Sequence, residues 1–126
     1  MIDTNIAIYA RDGDRGILDK LAHHHGLVVL SALSLAELQR GVFKEPADTE
    51  IRRARLAVLL QGIPILPYDE AAALTYGHIL QTVGWVRSRD YDRMIAAHAI
   101  SAGAVLVTNN AADFADVPGI KLENWA

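Results

Sequence analysis

The feature that most constrains this chain is an alternation: short apolar runs recur between longer stretches whose apolar residues repeat at helical spacing. Residues 1–2 read as the end of a short strand, 27–31 as a buried strand, 104–108 as a further strand and 120–123 as a short last one. Residues 63–66, flanked by Pro64 and Pro67, suit an edge strand or an extended connector, because proline cannot donate to a ladder. Between these runs the pattern predicts helices over 5–10, 14–25, 34–43, 48–60, 69–83 and 92–102, with Asp69 as a cap and Gly26, Pro46 and Gly103 as stops. A polar loop around Trp85 fills 84–89, and a turn or short helix 110–114. Strands separated by helices run parallel and need cover on both faces, which predicts an α/β fold: a three-layer α/β/α sandwich around a central, mostly parallel sheet. The stretch 92–102 is apolar or small nearly all round (Met94, Ile95, Ala96, Ala97, Ala99, Ile100), as expected of a buried central helix. With 126 residues, 52% of them hydrophobic, residues 1–126 suit a single domain with one ample core.

The same composition narrows the function classes. The absence of cysteine removes disulfide frameworks, thiolate metal sites and a catalytic thiol. Apolar runs such as 27–30 and 105–107 fall far short of the roughly 20 residues of a membrane span. No basic or apolar leader precedes Asp3, so the expected location is cytoplasmic, with no membrane contact. A net charge of −3 argues against binding nucleic acid by bulk charge; such binding would need local basic patches or metal ions in an acidic pocket.

In open α/β sheets, ligands bind beyond the carboxyl ends of the strands, so polar residues just after strands matter most. Asp3-Thr4-Asn5 follows the first strand, and Thr108-Asn109-Asn110, with Asp113 beyond it, follows 104–108. Asp92 opens the buried helix, and Glu37 lies in the helix after the second strand. Each acid also has a local explanation. Asp3 fits an Asx-turn, Ser34 to Glu37 matches a capping box, Asp92 or Asp90 fits an N-cap, and Asp113 suits the first turn of a short helix. Thr4, Asn5 and Thr108 are candidate helpers that could orient a carboxylate or phosphate, with local turn hydrogen bonds as the competing role. His23-His24-His25 points in several directions around a helix end, which favours interaction with the helix dipole over metal ligation. His98 does not share a helical face with Asp92 and reads as a packing or hydrogen-bonding residue.

The combination resembles a known family. Ile2-Asp3-Thr4-Asn5-Ile6, Ser34-Leu35-Ala36-Glu37-Leu38 with Gly41, Asp92-Arg93-Met94-Ile95-Ala96-Ala97-His98-Ala99, and Leu106-Val107-Thr108-Asn109-Asn110 through Asp113-Phe114 resemble the successive motifs of the PIN-domain family. They are most similar to the VapC-type toxins of bacterial toxin–antitoxin pairs, as is the tail from Val117-Pro118-Gly119 to Glu123-Asn124-Trp125. The resemblance spans nearly the whole chain. It implies an endoribonuclease dependent on Mg²⁺ or Mn²⁺, whose catalytic and metal-binding acids fall on Asp3, Glu37, Asp92 and Asp113, with Asn110 beside the last. Asp3 and Asp92 are expected as direct ligands, and Glu37 and Asp113 as further ligands or as groups acting through bound water. It also implies an RNA substrate, a VapB-type antitoxin whose segment covers the acidic pocket, and a homodimer. Such proteins usually carry a few apolar residues before the first acid, whereas here only Met1 and Ile2 precede Asp3.

Electrostatics gives an independent reason for the acids. Two unit charges about 4 Å apart repel by about 4 kcal/mol at an effective dielectric of 20. Such a cluster takes up protons or holds a cation, and an all-oxygen set suits Mg²⁺ or Mn²⁺. Arg87, Arg89 and Arg93 flank Asp92 and are candidate RNA-backbone contacts, against the alternative of a solvated face with ion pairs; the latter, or a partner interface, is preferred for Arg52, Arg53 and Arg55. Trp85 could stack a base or bury itself in a dimer contact. Leu56, Leu59, Leu60 and Trp85 are interface candidates, although core packing explains them as well. Two other readings compete with the nuclease: a catalytically silent PIN-like module that binds a partner or operator, and a phosphohydrolase using Asp3 as nucleophile. The second lacks the acid two residues on, because position 5 is asparagine.

Overall fold

The computed structural model describes residues 1–125. Its sheet is built outward from the first two residues. Ile2 bridges in parallel to Leu30 on one side and to Val107 on the other. The Ile2 N–H donates to the Val29 carbonyl (3.2 Å), Val107 N–H to Met1 (2.8 Å), and Asp3 N–H to Val107 (2.9 Å). Strand β1 (Leu30–Ser31) pairs with β2 (Ile65–Leu66), and β3 (Leu106–Thr108) with β4 (Leu122–Asn124), both in parallel. The result is one row in the order β2, β1, Ile2, β3, β4. From the centre the chain moves outward through β1 to β2, then crosses to β3 and ends at β4.

Six helices make the connections among the described residues: α1 (Thr4–Arg11), α2 (Arg15–His23), α3 (Ala32–Lys44), α4 (Thr49–Leu60), α5 (Glu70–Val83) and α6 (Asp90–Ser101). Tight 3₁₀ turns lie at Pro46–Asp48, Arg87–Arg89 and Ala111–Phe114. The period-2 alternation of the strands sorts the core into two layers. Ile2, Leu30 and Val107 face one way and pack with Ile6, Ile17, Leu38, Val42 and Leu56 from α1 to α4. Met1 and Leu106 face the other way and pack with Ile79 of α5 and Ile95, Ala96 and Ala99 of α6. The three-layer arrangement expected from the alternation is present, and every strand pairing among the described residues is parallel. Helix α6 is buried along Ile95–Ala99, as its all-round apolar pattern requires. No described helix is long and apolar enough to cross a membrane.

The differences from expectation have physical causes. The strand expected over 27–31 shrinks to its last two residues, because Ile2 offers only one residue of partner and Leu27 turns out to solvent (80% exposed). Helix α3 starts at Ala32, not Ser34: Ser31 is the N-cap and accepts from the Leu33 N–H (3.1 Å). The capping box from Ser34 to Glu37 therefore does not form. Helix α6 starts at Asp90, and no side chain caps it. Leu56 is core, and Leu59 and Leu60, half-buried, pack against the same layer, which is the core-packing alternative weighed for them. The Asp69 cap forms as expected, on Ala72 N–H (2.9 Å).

Leu38 is fully buried between α3 and the sheet. Truncation to alanine should cost about 2–5 kcal/mol in a denaturant melt, through lost transfer energy and a residual cavity. Leu27→Ala, at an exposed site, should stay within about 0.5 kcal/mol of wild type.

Candidate functional site

Strand order reverses beside Ile2, and there the carboxyl ends of neighbouring strands part to leave a crevice. Asp3 is the first residue past that point. Its backbone N–H completes the sheet, and its Oδ1 caps α1 by accepting from Ile6 N–H (3.0 Å). The local role foreseen for Asp3 and its place at the crevice therefore coexist. Thr108 ends β3 on the other side of the reversal, fully buried, and its hydroxyl accepts from Asn110 N–H (3.0 Å).

A cleft of ≈ 70 Å³ opens here, lined by Asp3, Thr4, Asn5, Glu37, Tyr91 and Asp92, with Ile95 and Phe114 supplying its apolar wall. Glu37 arrives on α3 and Asp92 in the first turn of α6, where the positive end of the helix dipole favours a carboxylate. Asp113 sits in the turn after β3, does not line the cleft, and accepts a short hydrogen bond from the Asn110 amide. Its charge nevertheless reaches Asp92.

The electrostatics record the crowding. Burial pushes the Asp92 carboxyl up to about 6, reinforced by the charges of Asp113, Asp3 and Glu37 and opposed by Arg89. Asp3 is raised as well, first by burial; hydrogen bonds from Thr108 and the backbone N–H groups of Ile6 and Asn5 hold it back, and Glu37 adds to the rise. Thr108 thus acts on Asp3.

Hydroxyl bonds hold the carriers of these acids together. Thr4 of α1 donates to Ser34 Oγ of α3 (3.0 Å) in the core. Tyr91 of α6 donates to the Leu33 carbonyl of α3 (2.5 Å) and lies against the Glu37 carboxylate. Burial and Glu37 hold the Tyr91 hydroxyl above the usual phenol range, so it stays a donor. Ser31, the cap of α3, bonds His98 Nδ1 of α6 (2.7 Å). His98 thus has the packing and hydrogen-bonding role read from sequence. Tyr91 was not singled out there. An aromatic residue beside a helical acid looks like a packing residue until its partner helix is in place.

The flanking arginines separate. Arg89 donates to the Asp113 carbonyl (3.4 Å), and Arg87 is exposed. Arg93 is not a surface contact: 3% exposed, it pairs with Asp116 (2.9 Å) and donates to the Gly84 carbonyl (2.5 Å). These two partners hold Arg93 inward.

Among the described residues no three histidine, aspartate or glutamate side chains stand converged on one metal position. Asp3 is engaged in its cap, Glu37 with Tyr91 and Asp113 with Asn110.

A family model described as PIN domain matches residues 1–120. Ribonuclease VapC2 of Rickettsia felis is 35% identical over 132 residues, covering 99% of this chain and 96% of that protein. The tRNA(fMet)-specific endonuclease VapC of Salmonella typhimurium is 33% identical over 128 residues, with 99% and 96% covered. Two solved structures are similar throughout. VapBC2 of Rickettsia felis bound to a DNA fragment from its promoter has a TM-score of 0.88 at 32% identity, over 100% of this chain and 98% of that one. DNA-bound VapBC of Salmonella typhimurium has a TM-score of 0.89 at 34% identity, over 100% and 97%.

The raised Asp92 fixes a sign. An acid whose folded pKa exceeds its unfolded value of 3.8 favours folding at low pH, and that contribution is lost as pH rises through about 6. In chelator at about pH 7, Asp92→Asn should therefore melt higher than wild type, with the gap closing near pH 4. A lower melting temperature for the variant at the higher pH would contradict the crowding.

Proposed function

We propose, because this chain belongs to the PIN-domain family and to its VapC branch, that it is an endoribonuclease, the toxin of a toxin–antitoxin pair, cutting RNA phosphodiester bonds at the acidic cleft. The observation that carries this reading is the gathering of Asp3, Glu37 and Asp92 at one cleft, where burial, reinforced by the charges of Asp113, Asp3 and Glu37, raises the Asp92 carboxyl. Anions gathered on unrelated segments at such a cost need a cation or protons.

The donor set fits Mg²⁺ or Mn²⁺: every candidate ligand is a carboxylate oxygen, hard and anionic, and a cation offsets both the burial of the Asp92 charge and the repulsion that adds to its rise. Asp3 and Asp92 are the proposed direct ligands, with Glu37 and Asp113 as further ligands or water-holding groups. When bound, the ion supplies Lewis-acid polarisation of the phosphodiester and a more acidic water. The chain's own residues do the rest. Asp92, with a pKa of about 6, is largely ionised near neutral pH. A hydrogen bond from Thr108 opposes the rise that burial imposes on the Asp3 carboxyl. Glu37, set by Tyr91, faces the cleft and is placed to take a proton from an attacking water. Arg89, beside Asp113 and Asp92, is placed for a substrate phosphate, and exposed Arg87 for the next one.

The proposed partner is a VapB-type antitoxin presenting a basic side chain to the cleft. An apolar groove of ≈ 530 Å³ between α2 and α4, lined by Leu18, Leu21, Val58 and Leu59 and edged by Arg11 and Arg55, offers it a seat. A homodimer and a single domain over 1–126 complete the reading.

Asp92→Asn should lower RNA cleavage by at least about a hundredfold and abolish growth arrest while the fold persists. Mg²⁺ or Mn²⁺ should raise the melting temperature of wild type and not of the variant. A folded variant as active as wild type would refute the assignment and favour the silent binding module.

A further inference from the structure

The loop between α5 and α6 presents an indole that the chain itself leaves uncovered. Gly84 closes α5 at φ +73°, a conformation glycine adopts without strain. Its carbonyl is held by Arg93, which is anchored in turn by Asp116. Beyond Trp85, the Arg89 N–H donates to the Val86 carbonyl (3.0 Å) and closes the 3₁₀ turn. The backbone is thus tied on both sides of Trp85, yet that side chain is 62% exposed, and Arg87 beside it faces solvent. A large side chain on a tied loop loses little freedom when it meets a ligand.

The loop also leads somewhere. Arg89, at its far end, reaches the Asp113 carbonyl and acts on Asp92 at the acidic cleft. An aromatic face followed by two guanidinium groups therefore runs to the lip of that cleft, on a chain whose net charge is −3. Among possible occupants, an RNA strand matches both halves of this strip. Guanidinium groups take phosphates, and an indole takes the face of any base. The base must be unstacked, since a duplex keeps its faces covered by neighbours.

Resting on the endoribonuclease reading, we propose that Trp85 stacks an unpaired base of the RNA and Arg87 holds a neighbouring phosphate, so that this loop seats the strand beside the acidic cleft. Buried Arg93 is a positioning residue for the loop and does not touch the strand.

The test follows intrinsic tryptophan fluorescence in chelator, so that the strand stays intact. The probes are a short unpaired RNA of mixed sequence and the same strand annealed to its complement. The unpaired strand should quench and the duplex should not. Trp85→Phe should lose the quench, leaving buried Trp125 as the sole indole, and still bind. Trp85→Ala should melt like wild type and bind about fivefold more weakly or worse. Arg87→Gln should reduce the slope of log affinity against log salt by about 0.7. The proposal falls if the unpaired strand does not bind, if the duplex quenches equally, or if Trp85→Ala binds as wild type. It also falls if Trp85→Ala lowers the mass in solution while RNA affinity stands, which would make the indole a contact with a second copy. Failure of the endoribonuclease reading looks different: normal quenching, with no strand cut when Mg²⁺ or Mn²⁺ is restored.

Discussion

Everything in this molecule is arranged around the two-sided pairing of Ile2. One residue of extended backbone, bonded to β1 on one flank and β3 on the other, joins two strand pairs into one sheet. Backbone groups buried there have no water to turn to, so the rungs from Ile2, Asp3 and Val107 are obligatory. The rung at Asp3 also places an acid at the point where strand order reverses. That side chain cannot leave without giving up the cap of α1. Sheet assembly and the placement of the first candidate acid are a single event.

Bringing other acids to the same point is unfavourable, and the structure compensates with neutral polar bonds. Thr4 to Ser34, Tyr91 to Leu33 and Ser31 to His98 cross between α1, α3 and α6, the helices that follow Asp3, carry Glu37 and carry Asp92. Each satisfies a buried or half-buried group that would otherwise cost about 1–3 kcal/mol. Together they resist the separation that repulsion among the carboxylates favours. Such a site trades stability for a poised charge, a common feature of functional clefts. Arg93 belongs to the same economy of fixed geometry: buried and paired, it ties the loop before α6 to the turn carrying Asp116.

Much of this was legible in order along the chain. Short apolar runs at 1–2, 27–31 and 104–108 marked the strands as a local property of the chain, and the structure's two core layers follow from the period-2 alternation of their side chains. The all-round apolar character of α6 required burial on its own. Glycine and proline stops marked most ends, and Asp69 announced its cap. The less legible features involve partners distant in sequence. Ser34 looked like a cap because Ser, two residues and Glu satisfy the local pattern; Ser31, three residues earlier, took the role because β1 ends there. Tyr91 gains its meaning only from α3, more than fifty positions away.

The sequence by itself determined the layers, the helix and strand order, and which acids follow strand ends, because these depend on spacing along the backbone and on the nature of each side chain. The tertiary structure alone decided that Asp92 feels Asp113, Asp3 and Glu37, that Asp113 stands outside the cleft, and that Arg93 is sealed inside while Arg87 and Trp85 stay open to solvent. Burial and Coulomb interaction depend on distance in space, and segments from both halves of the chain come close only when the sheet is complete.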